Sequence, residues 1–209
     1  LEAELGMPVA PVFWAATDDA DWMEAAETWV AGARGLSVAQ LPGPGTDGVA
    51  MVDVALGDLS AARAVLGNAF GSAAHGSVID LIDRSYVPQA TMGGAYLQLL
   101  RALLEPLGMA VLDAAHPALR EAADPLLRRA LKQSSHVLES VQARSRAIEH
   151  AGFTPQVDVV DGLSLVFRTQ TASQGGQVQR VRERVPVTEA MQVAREAEVG
   201  ALGANVLLR

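Results

Sequence analysis

The chain has 209 residues, half of them apolar, which is enough for one sizeable hydrophobic core. Its 24 acidic and 16 basic residues give a formal net charge of −8, so the overall field repels phosphate backbones and we expect no nucleic-acid partner. The absence of cysteine excludes disulfides, thiolate metal sites and cysteine nucleophiles, and it fits a cytoplasmic protein.

Neither a signal peptide nor a membrane segment is predicted. Residues 1–5 lack a basic flank and an apolar run, and no apolar stretch reaches the ~18 to 20 residues that a membrane span needs. We therefore expect a soluble, cytoplasmic protein with no membrane partner. The first residues already have a helix-like pattern, and the last residue directly follows an apolar run. Both observations indicate a fragment of a longer protein.

The first predicted strand covers residues 9–16, which are apolar, β-branched and aromatic, with Pro8 just before the range and Pro11 near its start. An acidic segment at residues 17–21 follows it. A helix is expected over residues 21–30, because apolar side chains recur there at helical spacing. The order strand, acidic turn, helix is typical of an α/β fold.

Residues 36–41 and 49–56 have the composition of strands, and a proline- and glycine-rich linker separates them. This arrangement predicts a hairpin excursion near 36–56. Helices are then predicted over 59–70, 78–86 and 93–107.

A second core strand is predicted over residues 109–113. This segment is short and apolar, ends with an aspartate and lies between two predicted helices. Helical sequence follows from Pro117 to about residue 151, with a break near Ser134. His116 precedes the proline, and helix capping is its favoured role over ligand binding.

Residues 155–160, 163–168 and 178–182 are predicted to form a small antiparallel unit. A short helix over 188–199 then returns the chain to the final apolar run. The pattern as a whole predicts an α/β fold, with a parallel sheet flanked by helices and a small inserted antiparallel β subdomain.

Two features that could indicate a ligand site, a glycine-rich segment and the histidines, are interpreted as having no binding role. Residues 43–48 satisfy G-x-G-x-x-G, but a strand-like segment follows instead of a helix and Pro44 removes an N–H donor, so we interpret this segment as a turn. The four histidines show no ligand spacing and there is no cysteine to assist them, so no metal site is predicted.

Asp18, Asp19 and Asp21 form an acidic cluster where the first strand ends and the next helix begins, with Glu24 one turn later. Capping of helix N–H groups and the helix dipole explain any one of these carboxylates. Three aspartates in four positions exceed what capping requires, and together they could hold a substrate ammonium group or accept its proton. Both interpretations stay open from the residues alone.

Taken in order, several segments resemble the bacillithiol synthase family, the cysteine-adding enzymes that complete bacillithiol biosynthesis. The segment P-V-F-W-A-A-T-D-D-A-D-W at 11–22 resembles the family's P-V-F-W-x-x-x-E-D-H-D-[FW], and N-V-L-L-R at 205–209 is similar to its S-P-N-V-L-L-R-P. The segments T-M-G-G-A-Y-L-Q-L-L at 91–100 and G-M-A-V-L-D at 108–113 are similar to a family helix and to the G-L-V-L-L-D strand that follows it. The segments F-T-P-Q-V at 153–157 and L-V-F at 165–167 are similar to the family's connecting β insert. The likeness runs through the chain in collinear order.

The resemblance implies a Rossmann-like core of the class I aminoacyl-tRNA-synthetase type. The expected domain division has three parts. Residues 1–152 form the core, residues 153–186 form the inserted β subdomain, and residues 187–209 return to the core.

The resemblance also implies a ligase that joins cysteine to glucosaminyl-malate by an amide-forming step on the cysteine carboxyl group. Both compounds would be small-molecule partners, a nucleotide cofactor is compatible with the fold, and a homodimer is left open for the intact protein. The implied site residues are Asp18, Asp19 and Asp21 as catalytic groups, and Trp14, Thr17, Asn205 and Arg209 as substrate-binding groups.

The chain also departs from the family pattern. Where the family has E-D-H-D, this sequence has Asp18-Asp19-Ala20-Asp21. The histidine of the family motif, which is the one group there that titrates near neutrality, is therefore replaced by Ala20. Three hypotheses follow: an incomplete or diverged ligase, a non-catalytic relative that binds a small molecule or supports assembly, and an unrelated α/β binding domain.

Overall fold

A computed structural model describes residues 1–32, 35–43, 48–70, 76–157, 159–174 and 177–204. The chain divides into two compact units, Leu1–Ala115 and His116–Arg209. This boundary differs from the division into residues 1–152, 153–186 and 187–209, which stays a prediction. No helix of the described ranges is both long enough and apolar enough to span a lipid bilayer.

The first unit contains a parallel strand pair, β1 (Val12–Ala15) and β4 (Ala110–Asp113). Their pairing in register confirms the predicted parallel arrangement of an α/β fold. The pair is less buried than expected for apolar core strands, since Trp14 is 47% exposed and its cross-strand partner Leu112 is 37% exposed. Ala15, at the end of β1, is completely buried.

The described part of the first unit also contains five α-helices. They are α1 (Glu2–Leu5), α2 (Trp22–Ala26), α3 (Ser60–Phe70), α4 (Gly76–Ser85) and α5 (Met92–Leu104), with short 3₁₀ helices at Met51–Asp53 and Glu105–Leu107. The three longer helices lie close to the predicted ranges. α5 contacts both β4 and the first 3₁₀ helix, so it is the element that connects the strand pair to the loop after residue 48.

The predicted hairpin near 36–56 is wrong in its pairing. β2 (Glu27–Gly32) and β3 (Gly35–Gln40) form an antiparallel pair, whereas residues 49–56 contain the 3₁₀ helix and isolated bridges. The helix predicted over 21–30 therefore ends at Ala26. Thr28, Trp29 and Val30 have β-branched or aromatic side chains, which favour strands. The short apolar pattern fits a helix as well as a strand, and the pairing with β3 decides in favour of the strand.

The second unit contains a sheet with strand order β6–β5–β7. β5 (Leu163–Gln174) and β6 (Gln177–Pro186) form the antiparallel hairpin, and β7 (Leu202–Ala204) pairs with the other edge of β5. The predicted antiparallel subdomain is thus observed. No strand occupies 155–157 or 159–160, where Pro155 lacks the N–H that a ladder requires.

Two long helices and one short helix pack with that sheet. They are α6 (Pro117–Lys132), α7 (Ser134–His150) and α8 (Ala190–Glu196). The break between α6 and α7 falls at Gln133, as predicted near Ser134. His116 caps α6 by accepting a hydrogen bond at Nδ1 from the Ala118 amide at 3.3 Å, which confirms its favoured structural role.

Arg128 joins α6 to the end of α8. Its guanidinium contacts the Asp124 carboxylate at 2.5 Å and donates to the carbonyls of Ala194 at 2.9 Å and Ala197 at 2.7 Å. The last carbonyls of a helix lack partners within the helix, so a cation at that end is stabilising. Asp124 is only 6% exposed, and the arginine is what compensates its buried charge.

Candidate functional site

The loop that follows β1 is fastened by its backbone. The carbonyl of Thr17 accepts a hydrogen bond from the Val52 amide at 2.9 Å, and the carbonyl of Asp19 accepts one from the Met51 amide at 2.7 Å. Both donors belong to the 3₁₀ helix Met51–Asp53. The acidic loop and this helix therefore form one local structure at the carboxyl end of the parallel pair.

The side chain of Thr17 joins the ends of the two parallel strands. It is 1% exposed, and its hydroxyl donates a hydrogen bond to Oδ1 of Asp113, the last residue of β4. The same Oδ1 accepts from the Ala115 amide at 2.9 Å. Carboxyl ends of parallel strands are where α/β sheets place ligand sites, and this link fixes the first loop at that end.

A close backbone approach positions α5 beside the acidic loop. A Cβ on Gly93 would lie 2.9 Å from the Cα and the nitrogen of Val52, closer than real Cβ contacts. Only glycine fits there without a shift of the backbone. Thr91 caps the helix by accepting from the Gly94 amide at 3.1 Å, and the Met92 amide donates to the Val54 carbonyl at 2.8 Å.

These elements line a half-open cavity of about 310 Å³, referred to below as the acidic cavity. Its wall combines carboxylates, two phenols and apolar atoms. The lining residues are Ala16, Thr17, Asp19, Asp21, Glu24, Ala25, Met51, Tyr86, Met92, Gly93 and Tyr96.

The structure brings some of the predicted catalytic residues together. Asp19 and Asp21 line the acidic cavity with Glu24, whereas Asp18 is not among the lining residues. Asp19 is half-buried and accepts from the Ala20 amide at 2.7 Å. Asp21 is exposed and caps α2 by accepting from the Glu24 amide at 3.0 Å, so capping and cavity lining coexist in one side chain.

The predicted substrate-binding residues are placed differently from one another. Thr17 lines the acidic cavity, but its hydroxyl is engaged with Asp113. Trp14 is half exposed on β1 and does not line the cavity. Asn205 and Arg209 lie outside the described residues. The roles of all four stay predictions.

Tyr86 and Tyr96 are the cavity residues that sequence reasoning missed, and they are the two tyrosines of the chain. Burial, with a smaller contribution from the nearby Tyr96, raises the pKa of the Tyr86 phenol above its ordinary value. Tyr86 is therefore a neutral hydrogen-bond donor at neutral pH. Tyr96 lies within the segment that resembles the family helix, which was the available signal.

Tyr86 is held in place from α3. Its carbonyl accepts from Nη2 of Arg63 at 3.1 Å, while Nε of the same guanidinium pairs with Oδ1 of Asp83 at 3.1 Å. Beyond Tyr86 lies a second, mostly apolar cavity of about 280 Å³, which shares Ala25, Tyr86 and Met92 with the acidic cavity. The Tyr86 side chain thus contributes to both walls.

The acidic cavity is suited to a cation. Its described lining contains three carboxylates and no lysine, arginine or histidine. An ammonium group gains both from carboxylates and from the faces of tyrosine rings. Across the described part of the chain, no three histidine, aspartate or glutamate side chains form a group able to hold a metal ion.

Comparison with known proteins assigns a family to this architecture. Residues 1–196 match the family model described as "Bacillithiol biosynthesis BshC, N-terminal Rossmann-like domain". A protein of Solibacter usitatus (strain Ellin6076), named "Putative cysteine ligase BshC", is 34% identical over 169 residues, which cover 78% of this chain and 31% of that protein.

A second protein of the same name, from Koribacter versatilis (strain Ellin345), is 29% identical over 216 aligned residues. That alignment covers 98% of this chain and 39% of the relative. The matched part of the chain therefore spans 31% and 39% of the length of these two relatives.

Proposed function

Because the chain belongs to the bacillithiol biosynthesis BshC family, we propose that it forms the amine-binding part of a cysteine ligase in bacillithiol biosynthesis. The amine substrate we propose is glucosaminyl-malate, and the bond formed is an amide with the carboxyl group of cysteine. One observation carries the proposal: Asp19, Asp21 and Glu24 line one cavity at the carboxyl end of the parallel strand pair.

The chemistry of amide formation fits these groups. An amine is protonated at neutral pH, and it must lose a proton before or while its nitrogen attacks an acyl carbon. Carboxylates can hold the ammonium form in place and then accept that proton. Asp19 is best suited to this role, because it is half-buried and its carbonyl is fixed to the 3₁₀ helix.

The remaining implied residues extend the proposal. We propose that Asp18 and Trp14 act at the rim of the site, and that Asn205 and Arg209 contribute from beyond the described residues. Thr17 acts by holding the loop, since its hydroxyl already binds Asp113. A nucleotide cofactor and a homodimer are proposals for the whole protein, and the fold class supports the nucleotide alone.

A second candidate function is a non-catalytic relative that binds an amine. Ala20 stands where the family motif has a histidine, and this observation favours it. An alanine provides no group for proton transfer, whereas the acidic cavity would still bind a cation.

Product formation separates the two candidates. The protein is incubated with cysteine and glucosaminyl-malate, with and without a nucleoside triphosphate, and the mixture is analysed by mass spectrometry for a product equal to both substrates minus water. Its formation supports the ligase. Binding of glucosaminyl-malate without any product supports the non-catalytic relative, and unchanged bacillithiol in cells lacking the gene contradicts the ligase.

A further inference from the structure

We propose that the second cavity beside Tyr86, referred to below as the apolar cavity, binds an uncharged aromatic molecule that acts as an effector of the acidic cavity. Its described lining comes from β2, β3 and helices α2 to α5, together with residues that flank them, and includes no residue of β1 or β4. The proposed ligation gives this cavity no ligand.

Small side chains leave the apolar cavity open. Ala26, Ala39 and Ala62 line it from α2, β3 and α3, where larger apolar residues would fill the space. The half-open cavity has a volume of about 280 Å³, whereas an apolar cavity of ~150 Å³ already holds one benzene ring. The apolar cavity therefore has room for a fused two-ring molecule such as indole.

Contacts near both ends of α3 keep the walls apart. Near its C-terminal end, a Cβ on Gly32 of β2 would lie 3.1 Å from the Cα of Ala69, so the helix is already in close contact with the strand pair. Near its N-terminal end, the Arg63 guanidinium pairs with Asp83 and donates to the carbonyl of Tyr86, each at 3.1 Å. Because these contacts fix α3 against β2 and against the end of α4, the space between them persists without a ligand.

The chemistry of the wall selects an uncharged ligand. Leu59 and Met92 are 4% and 5% exposed, and they line the cavity with apolar atoms. The charged lining residues, Glu27 and Arg63, are exposed, and Asp83 already pairs with the guanidinium. An ion inside would lose its hydration without gaining a buried partner of opposite charge. An aromatic ring gains apolar contact, and the thioether of Met92 also interacts favourably with ring edges.

Tyr86 and Met92 belong to the walls of both cavities, so an occupant of one can affect the other. A ligand packed against the Tyr86 side chain restricts its motion, and less ordering is then left for the amine to impose in the acidic cavity. Amine affinity should therefore rise, and the effect is reciprocal. This coupling rests on the proposed function, whereas binding of the aromatic molecule does not.

Indole and indole-3-acetate test the site, because they share one ring system and differ in charge. Both are titrated into the full chain, and binding is followed by calorimetry and by NMR of the alanine methyl and Tyr86 ring signals. We expect indole to bind about tenfold more tightly than indole-3-acetate and to shift the methyl signals of Ala39 and Ala62. Saturation with indole should raise the affinity for glucosaminyl-malate about fivefold.

Absence of indole binding, or equal binding of both compounds, would overturn the site. Unchanged Tyr86 ring signals or an unchanged amine affinity would overturn the effector role. Amide product without indole binding rejects the apolar site alone, and indole binding without product rejects the ligase alone.

Ala62→Leu should weaken indole binding by about tenfold or more, because the added atoms occupy the cavity. Ala61→Leu is the matched control, since it makes the same change at an exposed neighbour on α3 outside the lining, and it should leave binding unchanged. Ala39→Val narrows the cavity from β3 and replaces Ala62→Leu if its unfolding midpoint shows that the fold is lost. Wild-type indole affinity in a folded cavity variant would contradict the assignment.

Discussion

The buried hydroxyl of Thr17 donates a hydrogen bond to the carboxylate of Asp113, and this contact between residues 96 positions apart links the carboxyl ends of β1 and β4. It also fixes the start of the loop that carries the acidic residues. Thr17 was predicted as a substrate-binding residue, and the structure gives it a positioning contact in addition to a place in the cavity wall.

Replacing Thr17 by valine should destabilise the protein by about 1 to 3 kcal/mol, because Asp113 loses a donor in a part-buried place while the shape of the side chain is kept. Thr17→Ser retains the hydroxyl and should cost less. Urea unfolding measures both. Equal stability of Thr17→Val and wild type would show that this contact contributes nothing.

Gly93→Ala should destabilise the protein by about 1 to 3 kcal/mol and weaken amine binding, because the new methyl group would meet the backbone of Val52 at 2.9 Å. The matched control is Gly67→Ala on α3, whose added Cβ meets no atom within 4 Å. That control should stabilise the helix by about 0.5 to 1 kcal/mol. Thermal unfolding of both variants shows whether the close approach is the cause.

Asp19→Asn should weaken glucosaminyl-malate binding by about tenfold or more, because it removes a charge from the wall of the acidic cavity. Asp80→Asn is the control, since it makes the same chemical change at an exposed residue of α4 outside that wall. Calorimetry on the two variants compares them directly. A larger loss at position 80 than at position 19 would contradict the assignment of the cavity.

Arg128→Met should destabilise the second unit by about 3 to 5 kcal/mol, because Asp124 would keep a buried carboxylate without its cation. The double variant Asp124→Leu/Arg128→Met removes both charges and should recover a large part of this loss. Chemical unfolding of the single and double variants gives the coupling between them. Additive losses would mean that the two side chains do not stabilise each other.

Alkaline pH should weaken the fold through Tyr86. Its folded-state pKa is raised, so its contribution is complete below the ordinary tyrosine value of about 10 and is lost as pH rises through the folded-state value. Tyr86→Phe cannot ionise and should lose less stability between about pH 8 and about pH 11. Urea unfolding at both pH values, together with tyrosinate absorbance, tests this; identical pH profiles would contradict it.

Local sequence predicted the elements whose patterns are unambiguous. The apolar runs of β1 and β4 indicated their parallel pairing, and Pro117 after His116 indicated the start of α6. The short apolar pattern at residues 27–32 fitted both a helix and a strand, and only its pairing with β3, a contact outside the local window, decides between them.

The site was predicted only where it is continuous in sequence. Asp19 and Asp21 were recognised because they follow a strand end within a few residues. Tyr86 reaches the same cavity from the end of α4 and Tyr96 reaches it from α5, and the packing of Gly93 on Val52 positions the helix that carries Tyr96. Such a contact between distant segments leaves no periodic pattern in a single sequence.

The approach of Gly93 to Val52 constrains how this protein can evolve or be engineered. Position 93 admits no larger amino acid without movement of the main chain, so homologues that adapt to another amine must vary side chains elsewhere around the binding space. A mutant library for altered substrate preference should therefore diversify positions 86 and 96 and keep glycine at 93.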